Sequence, residues 1–403
     1  MGSLKNRFFV ALLVGLAAFA LYWGTAWSFD HSETPDVAYF NQLAEAFLQG
    51  RLYLAQPAST HDLTFHDGQW YVPFPPLPAL LMLPWVATQG VATLNTVLFA
   101  TIFGALNVLL IYLLLTGLAR QQWTHLGVSD NLWLTLLFGL GSVHWYMATI
   151  GSVWFVAQIC TVTFVALALW LAVEGRAPWL VGLALALAML ARPNVLLTWP
   201  LLLGMAATHL TTGGQPLQWS RLVRWALLSA IPLALAVGAL LLYNGARFGN
   251  PLDFGYLTEN VAEKLAPDLR RYGQFNLHYL PKNFWAMWLA GPQWDEELRF
   301  WRPDPEGMSL LLTTPALLYL GRARQRSWLI IGGWSAFCLL LAPLLLYYNT
   351  GWWQFGYRFS LDFMIPVMVL LALAAHKRVT GAMRLLILAG VLVNFYGVLW
   401  WHM

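Results

Sequence analysis

The chain has 403 residues, 59% hydrophobic, 15% aromatic and only 10% charged, with a formal net charge of +4. A soluble domain carries about 25% charged residues, so this composition excludes a water-soluble globular protein. The apolar residues gather in blocks of roughly 17 to 25, the length that crosses a bilayer core as a helix. Lipid offers the backbone no partners, so such blocks must be helical, and the strand-period alternation of a membrane barrel is absent.

The first block, 8–29, follows Lys5 and Arg7 and lacks a small-residue cleavage site, so it is expected to be a retained span. Further spans are expected near 95–118, 131–151, 153–173, 178–191, 193–210, 225–245, 307–321, 327–347, 361–375 and 383–401, with Arg192-Pro193-Asn194 dividing the fifth from the sixth. The expected fold class is an all-α integral membrane protein with about eleven transmembrane helices, one domain over 1–403, and interfacial helices in two exterior loops. Many of the 23 Trp sit at block ends, among them Trp23, Trp27, Trp123, Trp225, Trp400 and Trp401, where an interfacial aromatic belt places them. Cys160 and Cys338 both fall inside predicted spans and offer neither a disulfide framework nor metal-ligand spacing.

With the N-terminus in the cytoplasm, the cytoplasmic segments hold Lys5, Arg7, Arg120, Arg176, Arg221, Arg224, Arg322, Arg324, Arg326, Lys377, Arg378 and Arg384. Only two acidic residues, Asp130 and Glu174, share that side, and the other sixteen lie opposite with ten basic residues. This is a positive-inside pattern, and the net charge is its imprint rather than a sign of a nucleic-acid partner. Counting the apolar run Pro75 to Gln89 as a crossing inverts every later loop, so it is expected to be a short interfacial or re-entrant piece. Two long segments, 30–90 and 247–306, then face the exterior, and no glycine-rich nucleotide fingerprint, GKS/T sequence or zinc spacing occurs.

The first exterior segment opens Asp30-His31-Ser32-Glu33-Thr34-Pro35-Asp36. A helix is expected over Val37 to Gln49, ended by Gly50, with Val37, Phe40, Leu43, Ala44, Phe47 and Leu48 on one face against the membrane surface. Asp36 stands where an N-cap stands. It also heads a concentration of three carboxylates, Asp30, Glu33 and Asp36, which suits a general base held just above the membrane. His61-Asp62 and His66-Asp67 follow, and without a third and fourth ligand at metal spacing they favour loop hydrogen bonds or sugar contacts over a divalent metal. No cofactor is called for.

In the second segment, Arg247 precedes the turn sequence Gly249-Asn250-Pro251 and suits either phosphate binding or snorkelling. Leu257, Val261, Leu265 and Leu269 suggest another surface helix over 257–271, and Trp285, Trp288, Trp294 and Trp301 suit anchoring or stacking on a sugar ring. Late in the chain, Gly356-Tyr357-Arg358 borders a span on the side where topology disfavours a positive charge. A guanidinium there is a candidate for bidentate phosphate binding, as is Arg192.

Together these pieces resemble the GT-C superfamily of membrane glycosyltransferases. Pro35-Asp36 followed by Tyr39 looks like the acidic motif of its aminoarabinose and protein-mannosyl transferase branch, with Val37 where a second acidic residue is usual. Pro75-Pro76-Leu77 resembles the short proline-led helix that follows there, and the runs Tyr243-Asn244…Arg247 to Pro251 and Gly356 to Arg358 look like motifs of bacterial members. The resemblance implies a sugar moved, with inversion, from a polyprenyl-phosphate donor to the hydroxyl of an unidentified glycan, lipid or protein acceptor. It implies catalysis on the periplasmic or extracellular side of the plasma (inner) membrane. It makes Asp36 the base, with Glu33 or Asp30 as a second charge, and Arg358 the leading phosphate partner, with Arg192 and Arg247 as alternatives. Tyr39, His61, Asp62 and Tyr357 become sugar or acceptor contacts. The competing reading is a transporter or flippase for a lipid-linked saccharide, which predicts charged mid-span residues and internal repeats. The predicted span centres are almost free of charge.

Overall fold

The computed structural model describes residues 2–297 and 299–402, with residues 2–5 as backbone alone, so the side chain of Lys5 lies outside the described residues. In chain order the helices of the first half are α1 (Gly2–Ser28), α2 (Tyr39–Leu48), α3 (Leu77–Gln89), α4 (Thr96–Arg120), α5 (Val128–Gly139), α6 (His144–Met147), α7 (Val153–Val173) and α8 (Pro178–Met189). The second half holds α9 (Trp199–Leu210), α10 (Trp219–Phe248), α11 (Ala266–Tyr272), α12 (Leu280–Trp288), α13 (Leu310–Thr313), α14 (Trp328–Leu346), α15 (Leu361–Ala375) and α16 (Gly381–His402). Among the described residues seven helices are long and apolar enough to cross a membrane: α1, α4, α7, α10, α14, α15 with the turn before it, and α16. The chain is an all-α, multi-pass membrane protein.

The remaining expected spans are present as shorter or broken helices. The 131–151 segment is α5 followed, after a break at 140–143, by α6. The break frees backbone carbonyls that lipid cannot satisfy. Two side chains take them: Tyr22 Oη donates to Gly139 O at 2.8 Å and Ser142 Oγ to Phe138 O at 2.6 Å. Tyr22 also lies 3.2 Å from His144 Nδ1, and Asn107 Nδ2 lies 3.2 Å from His144 Nε2, so α1, α4 and α6 meet in one buried polar chain. The 193–210 segment is a 3-10 turn over Pro193–Thr198 running into α9, and 307–321 is α13 followed by a 3-10 run, Pro315–Arg322.

Between α1 and α4 lies the first long connection. Its helix begins at Tyr39 rather than Val37; the capping position is Ala38, with no side-chain cap bond, so Asp36 does not cap it. The face carrying Phe40, Leu43 and Ala44 packs against Ala79, Met82 and Val86 of α3 and against α7, rather than lying on the membrane surface. The 13 residues of α3 span about 20 Å at 1.5 Å per residue, too short for a crossing of about 30 Å. A small hairpin, β1 (Thr64–His66) with β2 (Gln69–Tyr71), turns at Asp67-Gly68, both at positive φ. The second long connection contains α11, α12 and a hairpin of β3 (Gln293–Asp295) with β4 (Phe300–Arg302). The surface helix expected over 257–271 reduces to a 3-10 turn at Tyr256–Thr258 and the seven residues of α11.

Both acids assigned to the basic side find bases assigned to it. Glu174 pairs with Arg7 at 2.8 Å and with Arg120, and Asp130 pairs with Arg384 at 3.6 Å. At the centre of the bundle, α7 and α15 are almost wholly buried. Outer helices are drawn in by glycines, as van der Waals packing between spans demands. A Cβ on Gly332 of α14 falls 2.6 Å from Pro200 O and 3.1 Å from Leu201 Cα of α9, both backbone atoms that cannot turn aside. Gly332→Leu therefore forces α9 and α14 apart and lowers stability by about 1–3 kcal/mol. Thermal unfolding in detergent checks this, and an unchanged midpoint contradicts the close approach.

Candidate functional site

One cavity of about 230 Å3 lies where the two long connections meet the ends of α8, α14 and α15. Its walls are aromatic and aliphatic, with Phe74, Tyr256, Phe275, Leu344, Tyr347 and Tyr348 among them, and two carboxyl and two guanidinium side chains face it: Asp62, Glu259, Arg192 and Arg358.

Arg358 reaches the cavity because α14 stops at Leu346 and the chain turns back before α15. The connection is held by its own side chains. Asn349 Oδ1 accepts from Gly351 N at 2.8 Å and Trp352 N at 3.0 Å, and Gln354 Oε1 accepts from Arg358 N at 2.7 Å. The guanidinium donates through Nε to Gly351 O at 3.0 Å and lies over the rings of Phe155 and Phe359. Arg358 is only 6% exposed, and no carboxylate of the described residues lies within ion-pairing distance of it. Burying a charge without a partner is expensive, and among the described residues only the more distant charge of Asp62 offsets that of Arg358.

Arg192 is set differently. Its Nη2 donates to Asp362 Oδ2 at 2.8 Å, and Asp362 also accepts from Asn194 Nδ2 at 2.7 Å and from Gln158 Nε2 at 3.2 Å. The charge of Arg192 is therefore balanced within the protein, while its Nε remains buried without a partner. Phe359 touches both guanidinium groups, 5.3 Å from Arg192 and 4.9 Å from Arg358, and so fixes their spacing.

The acids arrive from two loops about two hundred residues apart. Asp62 N donates to Asn260 O at 2.9 Å, Asn260 N donates to Leu63 O at 2.8 Å, and Thr64 bridges Glu259 in antiparallel register. This short backbone pairing brings Asp62 and Glu259 to the same wall. Burial raises Asp62 from its ordinary value, while the neighbouring His61 and the charge of Arg358 oppose the rise. Glu259 is raised well above its ordinary value, first by burial and then by the charge of Asp62; a Tyr348 hydroxyl at 3.4 Å opposes the rise. Of the two, Glu259 is raised further, and only Asp62 has a cation opposing its rise.

Of the residues singled out in the sequence, then, Arg358, Arg192 and Asp62 converge. The others do not line the cavity. Asp30, Glu33 and Asp36 are exposed on the loop between α1 and α2. That loop is laced to α4 and α7 instead, with Asn95 Nδ2 donating to Ser32 O and Val153 N to Val37 O. Arg247 neither snorkels nor faces the cavity. It is buried, donates to Val72 O at 2.6 Å and Asn244 Oδ1 at 2.7 Å, and stacks on Tyr243, so its donors hold the first connection to the end of α10. Tyr357 is fully buried outside the cavity. Tyr39 is buried and donates to His61 O at 2.7 Å, supporting the loop that carries Asp62. His61 stands on the outer side of Asp62, half exposed, edge-on to Trp154. Among the described residues no three His, Cys, Asp or Glu side chains group as metal ligands.

Two residues of the site were missed. Asp362 left a trace, since it is the one acid inside the apolar block of α15 and an intramembrane acid signals a partner. Glu259 left none, because only the pairing of the two loops distinguishes it from its acidic neighbours.

No family model and no curated relative matches the chain. A solved structure with a similar chain path is ArnT from Cupriavidus metallidurans bound to undecaprenyl phosphate, at 11% sequence identity and a TM-score of 0.47. The alignment covers 91% of this chain and 59% of that one, so the chain spans about three-fifths of its length.

A buried acid whose pKa is raised binds its proton more tightly folded than unfolded. Its contribution to stability is therefore lost as pH rises above the ordinary glutamate value of about 4.3. Glu259→Gln keeps an acceptor for Tyr348 and removes that loss. The variant should unfold at a higher temperature than the parent near pH 8, with the gain shrinking toward pH 4. A gain that grows on acidification contradicts the assigned direction.

Proposed function

We propose that this protein transfers a sugar from a polyprenyl-phosphate donor to an acceptor hydroxyl, with inversion, at the non-cytoplasmic face of the membrane in which it is embedded. The observation that carries this reading is the buried guanidinium of Arg358, which has no carboxylate in ion-pairing contact among the described residues and faces a cavity that also holds carboxylates. A lipid phosphate supplies the missing anion. The resemblance of the sequence to GT-C enzymes supplies the donor class, and the basic cluster at the other end of the bundle supports the choice of face.

The chemistry follows from these four side chains. The acceptor oxygen attacks the anomeric carbon while the bond from that carbon to the phosphate oxygen breaks, and negative charge grows on the departing phosphate. A fixed cation stabilises that growth most where no water competes. Arg358 takes this role, assisted by the free N–H groups of Arg192, whose Asp362 partner keeps its orientation. The hydroxyl proton passes to a carboxylate. Asp62 takes the base role that the sequence suggested for Asp36, because Asp62 lies in the cavity with Arg358 and Asp36 stands exposed outside it. Glu259, holding its proton, is suited to donate a hydrogen bond to a sugar oxygen. Its neutral form also leaves Asp62 as the single negative charge opposite the two guanidinium groups.

Transfer from short-chain polyprenyl-phosphoryl hexoses and pentoses by the purified protein tests the reading. Asp62→Asn should lower turnover by about 10²- to 10⁴-fold, the usual contribution of a general base, while Asp36→Asn should keep most of it. If Asp62→Asn turns over at the parent rate, Asp62 is not the base. Arg358→Ala should lose more activity than Arg358→Lys, which keeps the charge without the two-pronged geometry. Parent activity should fall on the acid side as Asp62 takes up a proton, at a higher pH than a solvent-exposed aspartate requires. Movement of the lipid-linked sugar across vesicles with no transfer to any acceptor would instead favour a flippase.

A further inference from the structure

Resting on the reading of the cavity as a phosphate site, we propose that Gln354 is the positioning residue that aims Arg358 at the lipid phosphate. Gln354 is fully buried beneath the connection between α14 and α15 and does not line the cavity. Its amide nonetheless closes that connection at both ends. Oε1 accepts from Arg358 N at 2.7 Å, and Nε2 donates to Thr350 O and to Glu306 O, each at 2.8 Å. The third bond ties the connection to the neighbouring loop before α13.

Two glycines make room for this side chain. A Cβ on Gly351 falls 2.6 Å from Gln354 Oε1, and Gly351 holds φ +111°, a conformation that favours glycine. A Cβ on Gly307 falls 3.2 Å from Gln354 Nε2. With Gln354 seated, Gly351 O points at Arg358 Nε and accepts from it at 3.0 Å, which fixes the head of a long and otherwise adaptable side chain. The two Nη groups make no hydrogen bond within the described residues, so they remain free for a ligand. One side chain thus holds both the backbone nitrogen of Arg358 and the loop whose carbonyl directs the guanidinium.

Its amide form matters. A carboxylate of the same shape keeps the bond from Arg358 N but sets one acceptor oxygen against the carbonyls of both Thr350 and Glu306, and it places a competing anion beside the cation. Glu306 itself, by contrast, fastens the outside of the loop through Thr350, Lys264 and Lys282, and its own side chain does not touch Gln354.

The test compares binding of farnesyl phosphate and of farnesol to the full-length protein in detergent, followed by tryptophan fluorescence, with thermal unfolding measured alongside. Gln354→Glu should weaken farnesyl phosphate about tenfold or more, the scale of one lost hydrogen bond to a charged group, and leave farnesol within about twofold. A merely structural role moves both ligands together. Gln354→Met, isosteric and uncharged, serves if the glutamate variant does not fold, and the same split is expected of it. Combined with Arg358→Ala, either substitution should add nothing further for farnesyl phosphate, because the positioned group is already gone. Additive losses in the double variant, or an equal loss for farnesol, overturn the assignment to Gln354 while the phosphate site stands. If the parent binds farnesyl phosphate no better than farnesol, or Arg358→Ala binds it as the parent does, the phosphate site fails and the role of Gln354 falls with it.

Discussion

The cavity depends on a buried cation that no carboxylate contacts. Two guanidinium groups flank Phe359, and only Arg192 has a carboxylate partner, Asp362. Arg358 has aromatic faces, one backbone carbonyl and the more distant charge of Asp62. A guanidinium tolerates this better than an ammonium, being weakly hydrated and able to stack, yet it still lacks a counter-ion. The acids on the opposite wall do not touch it; burial disfavours the charged form of both, and their mutual repulsion lets one ionise at the other's expense. The site is thus polar within largely apolar walls, and Arg358 is its one cation with no carboxylate in direct contact.

Holding such a site at the edge of a bundle requires a scaffold that does not yield. Lipid gives the helices no hydrophobic reason to associate, so contact comes from shape and from internal hydrogen bonds. The interlocked backbones at Gly332 and Pro200, and at Gly182 and Ser229, serve the first need. The chain from Asn107 through His144 and Tyr22 to Gly139 serves the second, at the place where a helix is interrupted. The same logic recurs around Gln354, where a buried amide satisfies carbonyls that an irregular loop leaves unpaired.

Function is divided between rigid and adaptable parts. Arg192 and Asp362 are anchored by helix ends, whereas Asp62 and Glu259 depend on a few backbone hydrogen bonds between loops. Arg247, buried and bonded to Val72 and Asn244, secures the chain just after β2 to the end of α10.

The sequence by itself determined the class of molecule. Blocks of apolar residues long enough for a bilayer leave no other solution, and the asymmetry of Arg and Lys predicts an order for the loops, because both properties are summed along the chain and need no knowledge of packing. It also marked Arg358 and Arg192, since a cation at the unfavoured end of a span is anomalous wherever the rest of the chain goes. Tertiary structure decided which acid accompanies them. Asp36 has the more suggestive local setting, yet it projects to solvent, while Asp62 and Glu259 are brought to the cavity by a backbone pairing between residues nearly two hundred apart. Such a pairing leaves no mark in composition or spacing, because its donors and acceptors are main-chain groups that every residue carries.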